Sequence, residues 1–76
     1  MDKIQKLRKK IDRIDDKISK LLKKRAKIVI EIGNQKRQNK SSIEDKNRET
    51  EIISKKENDY EKNIFKSIIS ESKKLQ

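Results

Sequence analysis

Residues 3–32 read KIQKLRKKIDRIDDKISKLLKKRAKIVIEI, and the fold class is decided there. Ile4, Leu7, Ile11, Ile14, Ile18 and Leu21 recur at alternating steps of three and four, a helix stripe of the heptad kind. Leu22, Ile28, Val29 and Ile32 continue and widen it, while Lys, Arg and Asp fill the other faces. No Pro or capping Gly interrupts the run, so one helix is expected from about Asp2 to about Gln38. At 1.5 Å per residue it would be roughly 50 Å long. Such a helix cannot bury its stripe against the short remainder of this chain, so a partner chain is expected.

Working outward, Asn39-Lys40-Ser41-Ser42 reads as a loop, anchored by Ile43. Asp45 is the expected N-cap of a short helix through about Lys56 that carries Ile52 and Ile53. Asn58-Asp59 is a second cap signal. Tyr60, Ile64, Phe65, Ile68, Ile69 and Leu75 then form an amphipathic stripe to Gln76. The expectation is an all-α chain, residues 1–76 forming a single domain, with one long, one short and one medium helix.

Composition supports this and excludes much else. The chain has 76 residues, 29% hydrophobic and 47% charged. A monomer so small and polar buries a thin core, which makes oligomerisation the natural way to gain buried area. Cys and His are both absent, which removes disulfides, thiol nucleophiles, Cys/His zinc sites and Ser-His-Asp catalysis together. No apolar run approaches a membrane span and the N-terminus lacks a signal-peptide core, so a cytoplasmic protein without membrane contact is expected. The formal net charge of +10 is met either by a solvated lysine-rich surface or by an anionic partner.

The residues that break the stripe carry the chemistry. Four residues past Leu21 the seam meets Arg25, and a buried guanidinium needs an anion. Lys36 lies almost three turns beyond, on the same face and roughly 16 Å away along the axis. The two side chains either converge on a ligand or run along the stripe edge with their heads in water. Arg8 sits roughly 25 Å from Arg25 along a straight helix. It cannot share a small ligand with Arg25 of its own chain, but the Arg8 of an antiparallel partner can. Asp45, Arg48 and Glu49 form D-x-x-R-E at the second helix start, where acids also complement the helix dipole. On the last helix Ser72 and Gln76 stand where the face of Phe65, Ile68 and Ile69 would continue, a hydroxyl and an amide that suggest a polar pocket.

Taken together these residues resemble the AroQ-class chorismate mutases. Leu7-Arg8-Lys9-Lys10-Ile11-Asp12-Arg13-Ile14-Asp15 is similar to that family's opening "LRxxIDxID", and Leu21-Leu22-Lys23-Lys24-Arg25 to its "LLxxR". Glu31-Ile32-Gly33 followed by Lys36 is similar to "EIGxxK", Asp45 with Arg48-Glu49 to "DxxRE", and Phe65, Ile68-Ile69, Ser72 and Gln76 to the closing helix. The resemblance covers nearly the whole chain, with five motifs in order. One departure stands out: the stretch between Glu49 and Phe65 is shorter than usual by roughly two helical turns, so a trimmed second helix is expected, with the closing helix free to tilt.

The resemblance implies an intertwined helical homodimer with two active sites, converting chorismate to prephenate in aromatic amino acid biosynthesis with no cofactor and no metal. It implies that Arg8 of the partner and Arg25 hold substrate carboxylates and that Lys36 and Gln76 are the catalytic donors to the ether oxygen. Glu49, with Asp45, would receive the ring hydroxyl, Arg48 would support the site electrostatically, and Ser72 would contact a carboxylate. The nearest rival is the related isochorismate-pyruvate lyase. Another is a basic helical dimer on nucleic acid, disfavoured because a reading motif is lacking and stacking aromatics are almost absent; no nucleic-acid partner is expected. A third is a relic of the same fold without activity.

Overall fold

A computed structural model of the chain describes residues 2–38 and 46–76, and it is built of helices: α1 (Lys3–Gln38), α2 (Lys46–Ser54) and α3 (Asp59–Leu75). The long, short and medium helices expected from the sequence are these three. The expected loop, its anchor Ile43 and the N-cap Asp45 lie outside the described residues.

The starts of α1 and α3 each have a local cause. Asp2 Oδ1 accepts from the Gln5 backbone N–H at 2.8 Å, which satisfies one of the unpaired donors of the first turn of α1. Asn58 caps α3 in an extended conformation, its side chain accepting from Glu61 N at 2.9 Å, and Glu61 Oε2 accepts in return from Glu57 N at 3.0 Å. This exchange turns the chain sharply between α2 and α3. The Lys56 ammonium sits 3.9 Å from the centre of the Phe65 ring and ties the turn to the first half of α3. α2 has 9 residues and ends at Ser54, two residues short of the expected Lys56.

At one end of α1, α3 packs against α1 and α2 packs against α3. The core is thin: among the described residues Val29 of α1 and Ile69 of α3 are the buried hydrophobics, at 7% and 9% exposure. Phe65 and Ile68 are half-buried, whereas Tyr60, Ile64 and Leu75 of the expected α3 stripe stay exposed. The other end of α1 projects free. Its stripe of Ile4, Leu7, Ile11, Ile14, Ile18 and Leu21 is between 47% and 63% exposed.

The shape follows. The chain measures 56 × 24 × 15 Å with a radius of gyration of 16.1 Å, against about 11 Å for a compact chain of this length. Its accessible surface is 6779 Å², where a compact monomer of this mass would expose about 4,900 Å². The excess of about 1,900 Å² exceeds the ~800 Å² that each partner contributes to an ordinary interface.

Gly33 fixes how closely α1 and α3 cross. A Cβ built there would lie 3.1 Å from both Cα and Cβ of Gln76, tighter than an ordinary contact, so an added side chain would need the end of α3 to give by a few tenths of an ångström. Gly in a helix interior costs about 1 kcal/mol relative to Ala, and here the close approach is what it permits. Replacing Gly33 with Val should force the crossing apart and destabilise the fold by ~1–3 kcal/mol. Thermal unfolding followed by circular dichroism, at fixed protein concentration, checks this; an unchanged midpoint would show that the crossing opens without cost.

Candidate active site

Where the three helices meet they enclose a cleft of about 450 Å³. Ile28, Ile32, Ile52 and Ile69 give it apolar walls, and Arg25, Lys36, Arg48, Glu49, Ser72, Lys73 and Gln76 give it polar ones. Six of the eight residues singled out in the sequence thus come together. Asp45 lies outside the described residues, and Arg8 lies on the projecting half of α1, exposed and not among the cleft-lining residues.

The polar groups are held in place by one another. Arg25 Nη1 donates to Ser72 Oγ at 2.5 Å, and Ser72 Oγ donates to the Ile68 carbonyl at 2.6 Å. The second bond takes the hydroxyl proton, so a lone pair of the oxygen is turned toward the guanidinium. Arg25 is half-buried and has five N–H donors in a planar fork, which suits it to a carboxylate. The seam-breaking arginine of α1 is therefore fastened by a hydroxyl on α3 rather than released to water.

Gln76 is fixed from two sides. Its side-chain Nε2 donates to the Val29 carbonyl across a long 3.5 Å, and its backbone oxygen accepts from Arg37 Nη1. Arg37 in turn donates through Nη2 to Asn34 Oδ1 at 2.6 Å. Lys36 lines the cleft half-buried beside this anchor. The departure in length between Glu49 and Phe65 has not removed Ser72 or Gln76 from the cleft.

On α2, Arg48 Nη1 lies 3.4 Å from Glu51 Oε1, and Lys55 Nζ approaches the same oxygen at 3.2 Å. The hydrogen bond and charge of Lys55, with the charge of Arg48, hold the Glu51 carboxyl below the usual carboxylate range. These groups are exposed, so the contacts orient Arg48 more than they stabilise α2. Glu49 points inward, 22% exposed, with Oε1 2.5 Å from Lys73 Nζ. That oxygen is covered and has no hydrogen bond of proper direction, so the contact with Lys73 is an ion pair and not a directed bond.

Sequence reasoning did not single out Lys73 and Arg37. Lys73 was legible in principle, being three residues before Gln76 and so on the same side of α3. Arg37 acts through the backbone of Gln76, and no side-chain pattern announces such a contact. Among the described residues no group of three or more His, Cys, Asp or Glu is placed to hold a metal, and no helix is long and apolar enough to cross a membrane.

With four cationic side chains and one carboxylate around an apolar floor, the cleft suits a small organic dianion. It has preorganised N–H donors and carries no nucleophile such as Cys or general base such as His.

The sequence model of the chorismate mutase type II family matches residues 7–76. No curated protein and no solved structure matches the chain.

The charge of the cleft gives a test that is independent of any reaction. Succinate, a plain dicarboxylate, should raise the melting temperature of the wild-type protein progressively with concentration, and Arg25→Ala should largely abolish the rise. A wild-type midpoint that does not move across millimolar succinate would remove the cleft as an anion site.

Proposed function

Since this chain belongs to the chorismate mutase type II family and is by that membership an isomerase, we propose that it converts chorismate to prephenate in the three-helix cleft, completed by a second copy of the chain. The observation that carries this reading is Arg25, fastened by Ser72 inside an apolar cleft also lined by Lys36, Glu49 and Gln76. The five residues stand at the positions where the family motifs place its working groups.

The chemistry follows from the substrate. Chorismate is a dianion, and its rearrangement is intramolecular: an ether C–O bond breaks as a new C–C bond forms. No proton, metal or nucleophile is needed. What lowers the barrier is compaction of the substrate into the reactive conformer and stabilisation of negative charge that grows on the ether oxygen. Arg25 holds one carboxylate. Ser72 holds Arg25 and can contact the same carboxylate only if its hydroxyl turns away from Ile68. Lys36 and Gln76 donate to the ether oxygen, and the Gln76 amide is suited to this because its contact to Val29 is long and easily exchanged. Glu49, with Asp45, takes the ring hydroxyl, and Arg48 supplies positive potential from α2. Ile28 and Ile32 are exposed in the single chain; covered by substrate and the second copy, the isoleucine walls would exclude water, and each of these interactions would then count for more.

The second copy covers the projecting stripe of α1. Packed antiparallel, it brings its own Arg8 toward Arg25, since about 25 Å of helix separates the two within one chain. Its fit is supported by the exposed stripe and by the excess surface of about 1,900 Å² over a compact monomer. The dimer, and residues 1–76 as its single-domain protomer, belong to the proposal.

Loss of chorismate, followed by absorbance and with products separated chromatographically, tests the reading directly. Prephenate supports it. Salicylate and pyruvate formed from isochorismate, with chorismate untouched, would move the site to the related lyase chemistry. Lys36→Ala should lower kcat by ~100-fold or more, because it deletes a donor used in the transition state; near-normal turnover would refute the role of Lys36.

A mixing experiment tests the shared site. Arg8→Ala and Arg25→Ala homodimers should each be poor catalysts. After subunit exchange, heterodimers regain one intact site, and an equimolar mixture should recover about a quarter of wild-type activity. Absence of recovery, with exchange demonstrated, would show that Arg8 does not work across the dimer.

A further inference from the structure

Lys73 has no role in the mechanism above, yet it lines the cleft between Ser72 and Gln76 and is the nearest cation to Glu49. Its Nζ lies 2.5 Å from Glu49 Oε1, and the two side chains are 37% and 22% exposed. The contact joins α2 to α3 across the cleft. The covered Oε1 has no directed hydrogen bond, so the charge of Lys73 is what balances it.

A carboxylate in the wall of a cleft that takes a dianion poses an electrostatic problem. It is useful as an acceptor for a hydroxyl, but it repels the carboxylates of the ligand, and a partly buried charge is costly without a partner. A cation paired with one oxygen of the carboxylate solves both. It cancels the repulsion and occupies one oxygen, leaving the other for the substrate.

We propose that Lys73 is a positioning residue for substrate binding: its ammonium neutralises Glu49 and holds that carboxylate so that a dianionic substrate can enter while its ring hydroxyl still finds an acceptor. This rests on the mutase reading for the identity of the substrate, but not for the charge coupling itself. Lys73 acts through Glu49 and touches no reacting atom. Its loss therefore weakens binding more than it slows the chemical step. The effect depends on Glu49 being charged.

Four proteins test this: wild type, Lys73→Met, Glu49→Gln and the double variant, with Lys73→Arg as the conservative control. Met keeps the apolar stem and removes the charge. Lys73→Met should raise KM for chorismate by ~10-fold or more while kcat changes by less than ~3-fold. Lys73→Arg should restore most of the affinity. In the Glu49→Gln background the same Met substitution should raise KM by no more than ~2-fold, because the charge it exposes is gone.

An unchanged KM in Lys73→Met, a loss confined to kcat, or equal effects in both backgrounds would overturn the proposal. Should Lys73→Met not fold, Lys73→Gln is read in the same way. If the wild type turns over no chorismate, the mutase reading falls alone. The coupling is then read from the melting-temperature shift with succinate in the same four proteins, with the same non-additivity expected and additivity refuting it.

Discussion

The first half of α1 carries an apolar seam that nothing among the described residues of its own chain covers. α2 and α3 together supply 26 helical residues; α3 lies against the far end of a 36-residue helix and α2 lies against α3. Six leucines and isoleucines, from Ile4 to Leu21, are left open to water. Burying a side chain of this kind contributes about 1.5–3 kcal/mol, a sum that a core centred on Val29 and Ile69 cannot forgo. Much of the structure follows from that constraint: the elongated shape and the placing of the cleft at the end of the helix where the chain covers itself.

The cleft inherits the same economy of parts. Arg25 stands in the seam where a Leu or Ile would continue the pattern, at the boundary between the uncovered stripe and the packed end. A guanidinium is tolerated there because Ser72 of α3 accepts from it and the Ile68 carbonyl fixes that hydroxyl. One residue thus terminates the apolar repeat, joins α1 to α3 and presents donors to a ligand. Gly33 does the equivalent for Gln76, and its missing side chain sets the distance at which the amide stands from α1.

Much of this was legible in the sequence, and the reason is periodicity. The three-four spacing from Ile4 to Ile32 specified α1 almost to the residue, and the Asn58-Asp59 signal placed the start of α3. The polar interruptions at Arg25, Ser72 and Gln76 marked the cleft, because a helix face obliges residues at those spacings to point one way. What was hidden depends on tertiary proximity. The ion pair of Lys73 with Glu49 joins residues 24 positions apart on different helices, and the hold of Arg37 on Gln76 is made through a backbone oxygen. The exposure of Tyr60, Ile64 and Leu75 was not foreseen either, because amphipathic spacing says which residues share a face and not whether the chain has anything with which to cover it.

A last consequence concerns the balance between stability and function. Arg25, Lys36, Arg48 and Lys73 line one cleft together with Glu49, in a chain whose formal charge is already +10. Like charges gathered around an apolar floor raise the free energy of the empty protein. A larger domain absorbs such strain in a deep core, whereas here the cleft walls and the packed end of the molecule are formed by the same side chains. Groups that suit the cleft to a dianion would lower the stability of the unliganded fold to the extent that their charges repel, and a bound anion would offset that repulsion. A ligand that binds only the folded chain stabilises it, and the Lys73–Glu49 pair is a place where the chain itself supplies a counter-charge within the cleft.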